Sequence, residues 1–212
     1  MKGITFGELH SYRDLKLILI EKEIGAPHVK TKLIEIEGAD GSIDLTDFFG
    51  EPKYGDVTHK FTFSTIVPWN DFLSQYSEVK NALHGKKLTI ILDDDPSFYY
   101  VGRCYVSSFT NEKNIGTITI ECECEPYKYK LSQTVVTRTV SGSATITLTN
   151  SRKRAVPEIT TTAAMTFVFG EQSLAKGAGT FVIPELELTE GANTVTVSGT
   201  GTVTFRWQEG GL

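Results

Sequence analysis

Hydrophobic and polar positions alternate with a period of two over most of this chain and with a helical period over one segment. In TITIECECE at 117–125, Ile118, Ile120, Cys122 and Cys124 share one face while Thr119, Glu121, Glu123 and Glu125 share the other, the signature of a half-buried strand. Similar runs predict strands at 15–21, 30–37, 58–67, 88–92 and 98–107. Trp69, Phe72, Leu73, Tyr76, Val79 and Leu83 follow helical spacing, so this stripe is expected to pack on the sheet. Asn70 or Asp71 is the expected N-cap, and Gly85 stands where a left-handed residue ends a helix. Asp93, Asp94, Asp95 and Pro96 then separate two strands.

Beyond residue 130 the alternation continues in short runs divided by Gly, Asn, Pro or Ser, through Ile146, Leu148, Phe167, Phe169, Phe181, Ile183, Val195, Val197, Val203, Phe205 and Trp207. That pattern predicts a β-sandwich of about eight short strands. Residues 190–207 read as its closing hairpin, with Gly199 and Gly201 at the turn. The chain is therefore expected to be mainly β: an α+β N-terminal domain with one main helix, followed by a C-terminal β-sandwich.

Composition sharpens the division. Residues 1–130 carry 15 Lys and Arg, 20 Asp and Glu and all four His, whereas 131–212 carry 6 of each charge sign with 17 Thr and 9 Gly. Two domains, 1–130 and 131–212, are expected, joined near Pro126–Ser132. The net charge of −5 lacks the basic footprint of a nucleic-acid binder. No stretch approaches the roughly 18 apolar residues of a membrane helix, so no membrane insertion is expected. The first residues lack the apolar core and cleavage site of a signal peptide, which predicts synthesis in a cytoplasm without export by the general secretory route.

Chemistry-bearing patterns are sparse. Nucleophile elbows, zinc-protease pairs, phosphate loops and dinucleotide fingerprints are missing, so neither catalytic residues nor a cofactor is assigned. The Cys122/Cys124 pair is half of a zinc site without its second half, and the three cysteines are read as reduced core residues. The three consecutive aspartates lack calcium-loop spacing and are read as a solvated turn. His84 is read as a helix-end residue whose protonated ring complements the macrodipole. A loop of about twenty residues, Gly38 to Val57, is long for a compact domain. Its Phe48, Phe49 and Tyr54, with Asp44, Asp47 and Glu51, either grip a neighbouring subunit or fold back on their own sheet. Trp207, the one Trp of the second half, is either a packing residue or the platform of a sugar site, though that half lacks the His such sites carry.

Several ordered motifs resemble one family. DGSIDLTDFFG at 40–50, Tyr54, FTFS at 61–64, Trp69, LHGK at 83–86, LDDDP at 92–96, YYVGR at 99–103 and PYK at 126–128 are similar to the N-terminal domain of phage distal tail proteins, the tail-tip hub subunits of long non-contractile phage tails. The resemblance covers roughly residues 1–130. It implies a non-enzymatic structural protein whose N-terminal domain closes a hexameric ring and whose C-terminal domain is a galectin-like sandwich. The implied partners are other copies of the chain, the major tail tube protein, a tail-associated lysin or spike, and receptor-binding proteins. The implied location is the virion tail tip, of a phage or prophage. The alternative is a carbohydrate-binding adhesion module that contacts the host cell wall.

Overall fold

The alternating stretches do form strands, and the chain is mainly β with one α-helix among the described residues. The computed structural model describes residues 2–48, 50–112 and 115–212. They divide into two compact units, one reaching to Lys128 and including Leu212, the other Tyr129–Gly211.

The first unit contains β1 (Ile4–Phe6), β2 (Leu9–His10), β3 (Leu17–Ile24), β4 (Leu33–Glu35), β5 (Ser42–Asp44), β6 (Val57–Thr65), α1 (Phe72–Leu83), β7 (Lys87–Leu92), β8 (Phe98–Glu112) and β9 (Ile115–Cys124). Its main sheet is antiparallel in the order β2-β1-β7-β8-β9-β6-β3. Three strands lie between β1 and β6, yet Phe6 packs edge-on against Phe61 and Phe63, with ring centroids 6.1 and 6.2 Å apart. The sheet therefore curls around one core that also takes in Val79 and Leu83 of α1 and all three cysteines. Cys104 lies opposite Cys122, their sulfurs 3.3 Å apart. The hydrogen bond with Cys104 and burial raise the Cys122 thiol, and burial pushes Cys124 up to about 12, so both remain thiols.

The helix departs from its expected details. Its entry is a 3-10 turn at Trp69–Asp71, and neither Asn70 nor Asp71 makes a side-chain cap; the N-cap, Asp71, sits in helical dihedrals. Phe72, Gln75, Val79 and Leu83 make the buried stripe, while Trp69 and Leu73 point outward. Gly85 does adopt φ +77° past the helix end. His84, at the helix end, also makes a hydrogen bond: its Nδ1 accepts the Val106 N–H at 3.1 Å, beside a β-bulge between Val106 and Ser108.

β10 (Lys128–Lys130) crosses from the first unit into the second, which continues with β11 (Thr134–Asn150), β12 (Glu158–Thr161), β13 (Met165–Phe169), β14 (Gln172–Lys176), β15 (Gly179–Val182), β16 (Gly191–Trp207) and β17 (Gly210–Gly211). β11 and β16 pair without interruption from Thr134↔Trp207 to Asn150↔Gly191. The expected closing hairpin at 190–207 is thus a single 17-residue strand. Gly199 and Gly201 bend it instead of turning it: their φ values are +144° and +153°. On the far edge of β16, β12 and β15 follow the half containing Phe205, and β13 and β14 follow the half containing Val197. Phe167 of one half meets Phe205 and Phe181 of the other edge-on, at 6.3 and 5.8 Å. One bent sheet supplies two facing layers; the strand count is about the expected eight, but β11 and β16, at 17 residues each, are far longer than the short runs suggested.

Candidate functional site

The residues that carry chemistry are engaged structurally. Asp93 Oδ2 accepts His10 Nε2 at 3.0 Å and the Gly3 N–H at 2.7 Å; Asp94 pairs with Lys22; Asp95 accepts Lys128 Nζ at 2.8 Å. Burial pushes Asp93 up, but the bonds from His10 and Gly3 outweigh it and hold its carboxyl below the usual range. The aspartate triplet thus ties three separate segments to one turn and is not a plain solvated turn. His10 Nδ1 accepts the Tyr12 and Arg13 N–H groups at 3.1 and 3.2 Å. With Nε2 donating to Asp93, neither ring nitrogen is left to serve as a base for neighbouring Ser11, whose Oγ accepts the Ile4 N–H. Among the described residues no group of three or more His, Cys, Asp or Glu could hold a metal ion.

A further feature is an arm between β3 and β6, with exposed apolar residues. The 30–37 run was expected to be a strand, and 38–57 a loop. Only Leu33–Glu35 is a strand there, and it pairs with Ser42–Asp44, matching Leu33↔Asp44, Ile34↔Ile43 and Glu35↔Ser42. The return is held by Leu45 N–H to the Lys32 carbonyl (2.8 Å), Lys30 N–H to the Lys53 carbonyl (2.7 Å) and the Val29↔Tyr54 bridge. At the root, Gly55 N–H donates to the His28 carbonyl at 2.9 Å. Gly25, also at the root, is required by close approach: a Cβ there would lie 2.5 Å from the Thr58 carbonyl oxygen.

Ile34 and Ile43 share one face of the arm by register and are 44% and 48% exposed; Leu33 and Ile36 are exposed as well. Between Leu33 and Pro52 stand Glu35, Glu37, Asp40, Asp44, Asp47 and Glu51, with no Lys or Arg. The arm is therefore both apolar and acidic. Covering the exposed parts of Ile34, Ile36 and Ile43 is worth about 3 kcal/mol in total, before the cost of association.

The sequence-selected residues distribute unevenly. Asp44 is on β5 and its Oδ1 accepts the Thr46 N–H at 2.8 Å; hydrogen bonds from Thr46 lower its pKa. The Asp47 carbonyl accepts the Gly50 N–H, and Phe48 is 70% exposed. Phe49 lies outside the described residues. Tyr54 turns back onto its own unit, edge-on to Tyr127 at 5.9 Å. Trp207 corrects the sugar-platform reading: it is 2% exposed and its Nε1 donates to Asn150 Oδ1 at 3.1 Å, so it offers no ring face to a sugar. Sequence reasoning missed Leu33, Ile34, Ile36 and Ile43. The signal was the Asp40-Gly41 turn between two apolar runs.

No protein-family model matches the chain, and no curated protein matches it. In fold, it is similar along its whole length to the crystal structure of the SPP1 Dit (gp 19.1) protein, described as a paradigm of the hub adsorption apparatus in phages infecting Gram-positive bacteria. That likeness has a TM-score of 0.76 at 12% identity and covers 100% of each chain.

Proposed function

We propose that this chain is a non-enzymatic structural hub of a phage tail tip. Six copies form a ring joining the tail tube to the spike or tail-associated lysin, with receptor-binding proteins as further partners and the virion as its location. The observation that carries this reading is the end-to-end fold likeness to a hub protein. The ordered motifs over residues 1–130 and the apolar, acidic arm support it.

The arm is the proposed join between copies. A head-to-tail contact closes into a ring when its rotation fits, and it needs a projecting element on one side and a receiving surface on the other. The receiving side is proposed to be the open edge of β3, the last strand of its sheet, where Ile20 and Ile24 are exposed. Such a contact is expected to bury roughly 2,000 Å² or more. The carbohydrate reading lacks its platform, because the Trp207 ring is enclosed.

Light scattering and negative-stain microscopy of the purified chain test the reading. A six-membered ring with a central hole is expected. Changing Ile34, Ile36 and Ile43 together to Thr should leave the fold intact and reduce the assembly to monomers. Intact rings from that variant would refute the arm as the join, and a monomeric parent that stays monomeric with tail tube and spike proteins present would refute the hub.

A further inference from the structure

His59 stands beside the root of the arm with one nitrogen committed and the other idle. It lies on β6, 1% exposed, with its side chain turned into the core between Val57 and Phe61. Its Nδ1 accepts the Gly25 N–H at 3.2 Å, the first backbone donor after β3 ends. A nitrogen that accepts a backbone N–H carries no proton, so the hydrogen of the neutral ring is on Nε2. Among the described residues Nε2 has no hydrogen-bond partner, and the ring stands edge-to-face with Tyr100 at 4.5 Å.

From these contacts we infer that His59 is a proton-operated latch on the arm: neutral, it pins Gly25 and closes the root; protonated, it releases it. The proton comes from solvent and adds to the Nδ1 lone pair, converting the acceptor of the Gly25 N–H into a second donor facing it. Two donors cannot share one bond, and burial penalises the added charge.

The groups around the ring favour the neutral state. Tyr100 of β8 presents its ring, Cys122 stands opposite His59 on β9, and the Gly25 N–H follows apolar Ile24 at the end of β3. His59 lines a cavity of about 340 Å³ together with Ile24, Val57, Tyr100, Lys128 and Leu212. The ammonium there is satisfied by Asp95 and lies over Phe98. Burial accordingly moves the imidazole below its ordinary 6.5. The latch is therefore fully closed above the pH at which a free imidazole titrates, and it opens as pH falls below about 6.5 toward the depressed folded-state value.

The latch is a property of the single chain, and only its consequence for ring assembly depends on the reading of the arm as a join. Nitrogen-detected NMR of the His59 ring and amide exchange at Gly25 are followed in the full chain from pH 7.5 to 4.5. Expected are the Nε2–H tautomer at pH 7.5 and a loss of Gly25 protection, after correction for the intrinsic rate, of about tenfold or more that tracks the ring's titration. His59→Gln keeps an acceptor that does not titrate, and its Gly25 protection should stay level across the range. An Nδ1–H tautomer at neutral pH, or Gly25 protection that does not change while the ring titrates, overturns the latch whether or not the variant folds. Rings that keep their mass while Gly25 is released would instead count against the arm as the join and leave the latch intact.

Discussion

Replacing Glu209 should weaken the second unit by an amount its contacts specify. The Glu209 side chain is 7% exposed; Oε1 accepts Lys130 Nζ at 2.5 Å and the Thr134 hydroxyl, and Oε2 accepts the Ser151 hydroxyl at 2.5 Å. In Glu209→Ala, two hydroxyls lose a charged acceptor, at about 1.5 kcal/mol each. Lys130 is 39% exposed, so water takes over most of its solvation and it adds only about 0.5 kcal/mol. The loss of about 3.5 kcal/mol compares with about 4–12 kcal/mol for a whole unit of this size. Urea unfolding followed by fluorescence reports it, because Trp207 is enclosed in this unit; a Trp69→Phe background removes the other indole. The midpoint should fall by roughly 2–3 M. Burial pushes the Glu209 carboxyl up, but the bonds from Lys130, Ser151 and Thr134 prevail and hold it below its ordinary 4.5. The ionised carboxylate's contribution is thus fully present above about pH 4.5 and is lost as pH falls through the lower folded-state value. Glu209→Gln should cost about 1 kcal/mol at neutral pH and lack that acid limb. An Ala variant within about 0.5 kcal/mol of the parent, or parallel acid limbs for parent and Gln, would refute the reasoning.

Gly199→Ala places a Cβ 2.9 Å from the Ala164 carbonyl oxygen at φ +144°, whereas Gly142→Ala, at φ +87°, meets nothing within 4 Å. Calorimetry should therefore show a loss of about 2–3 kcal/mol for Gly199→Ala and about 1 kcal/mol for Gly142→Ala; the reverse order would contradict a bend that needs glycine. Cys104, Cys122 and Cys124 are buried as free thiols, so a colorimetric thiol reagent should find none in the native chain and all three in denaturant. Rapid labelling of native Cys122 would mean that the β8–β9 face opens.

Where local rhythm and burial agree, the sequence was legible. The face containing Ile118, Ile120, Cys122 and Cys124 is fully buried, and the stripe of Phe72, Val79 and Leu83 faces the core. Trp69 and Leu73 diverge because a stripe that is too wide cannot all face one sheet, and the 3-10 entry shifts Trp69 off the helical register. β1 and β2 were missed because strands of three and two residues carry almost no period. At 30–37 the apolar rhythm is present, but rhythm does not say whether a strand joins the main sheet or projects from it. Gly199 and Gly201 read as a turn because a glycine that bends a strand and one that ends it look alike in sequence; only the partner register separates them. For the candidate site, the loop around Phe48 was singled out from its length and rings, whereas Ile34 was read only as part of a strand and Ile43 only as part of that loop; their pairing on one exposed face shows only in the register.

The continuous pairing of β11 with β16 has a consequence for how the second unit forms. Both facing layers hang from this one ribbon, whose strands are separated in sequence by all of β12 to β15. Its ladder cannot close until that intervening chain has been drawn into a loop, a distant contact that makes for slow folding. Once closed, neither layer has a boundary along which to part from the other, so protection from exchange should rise and fall as a single block across Thr134–Asn150 and Gly191–Trp207.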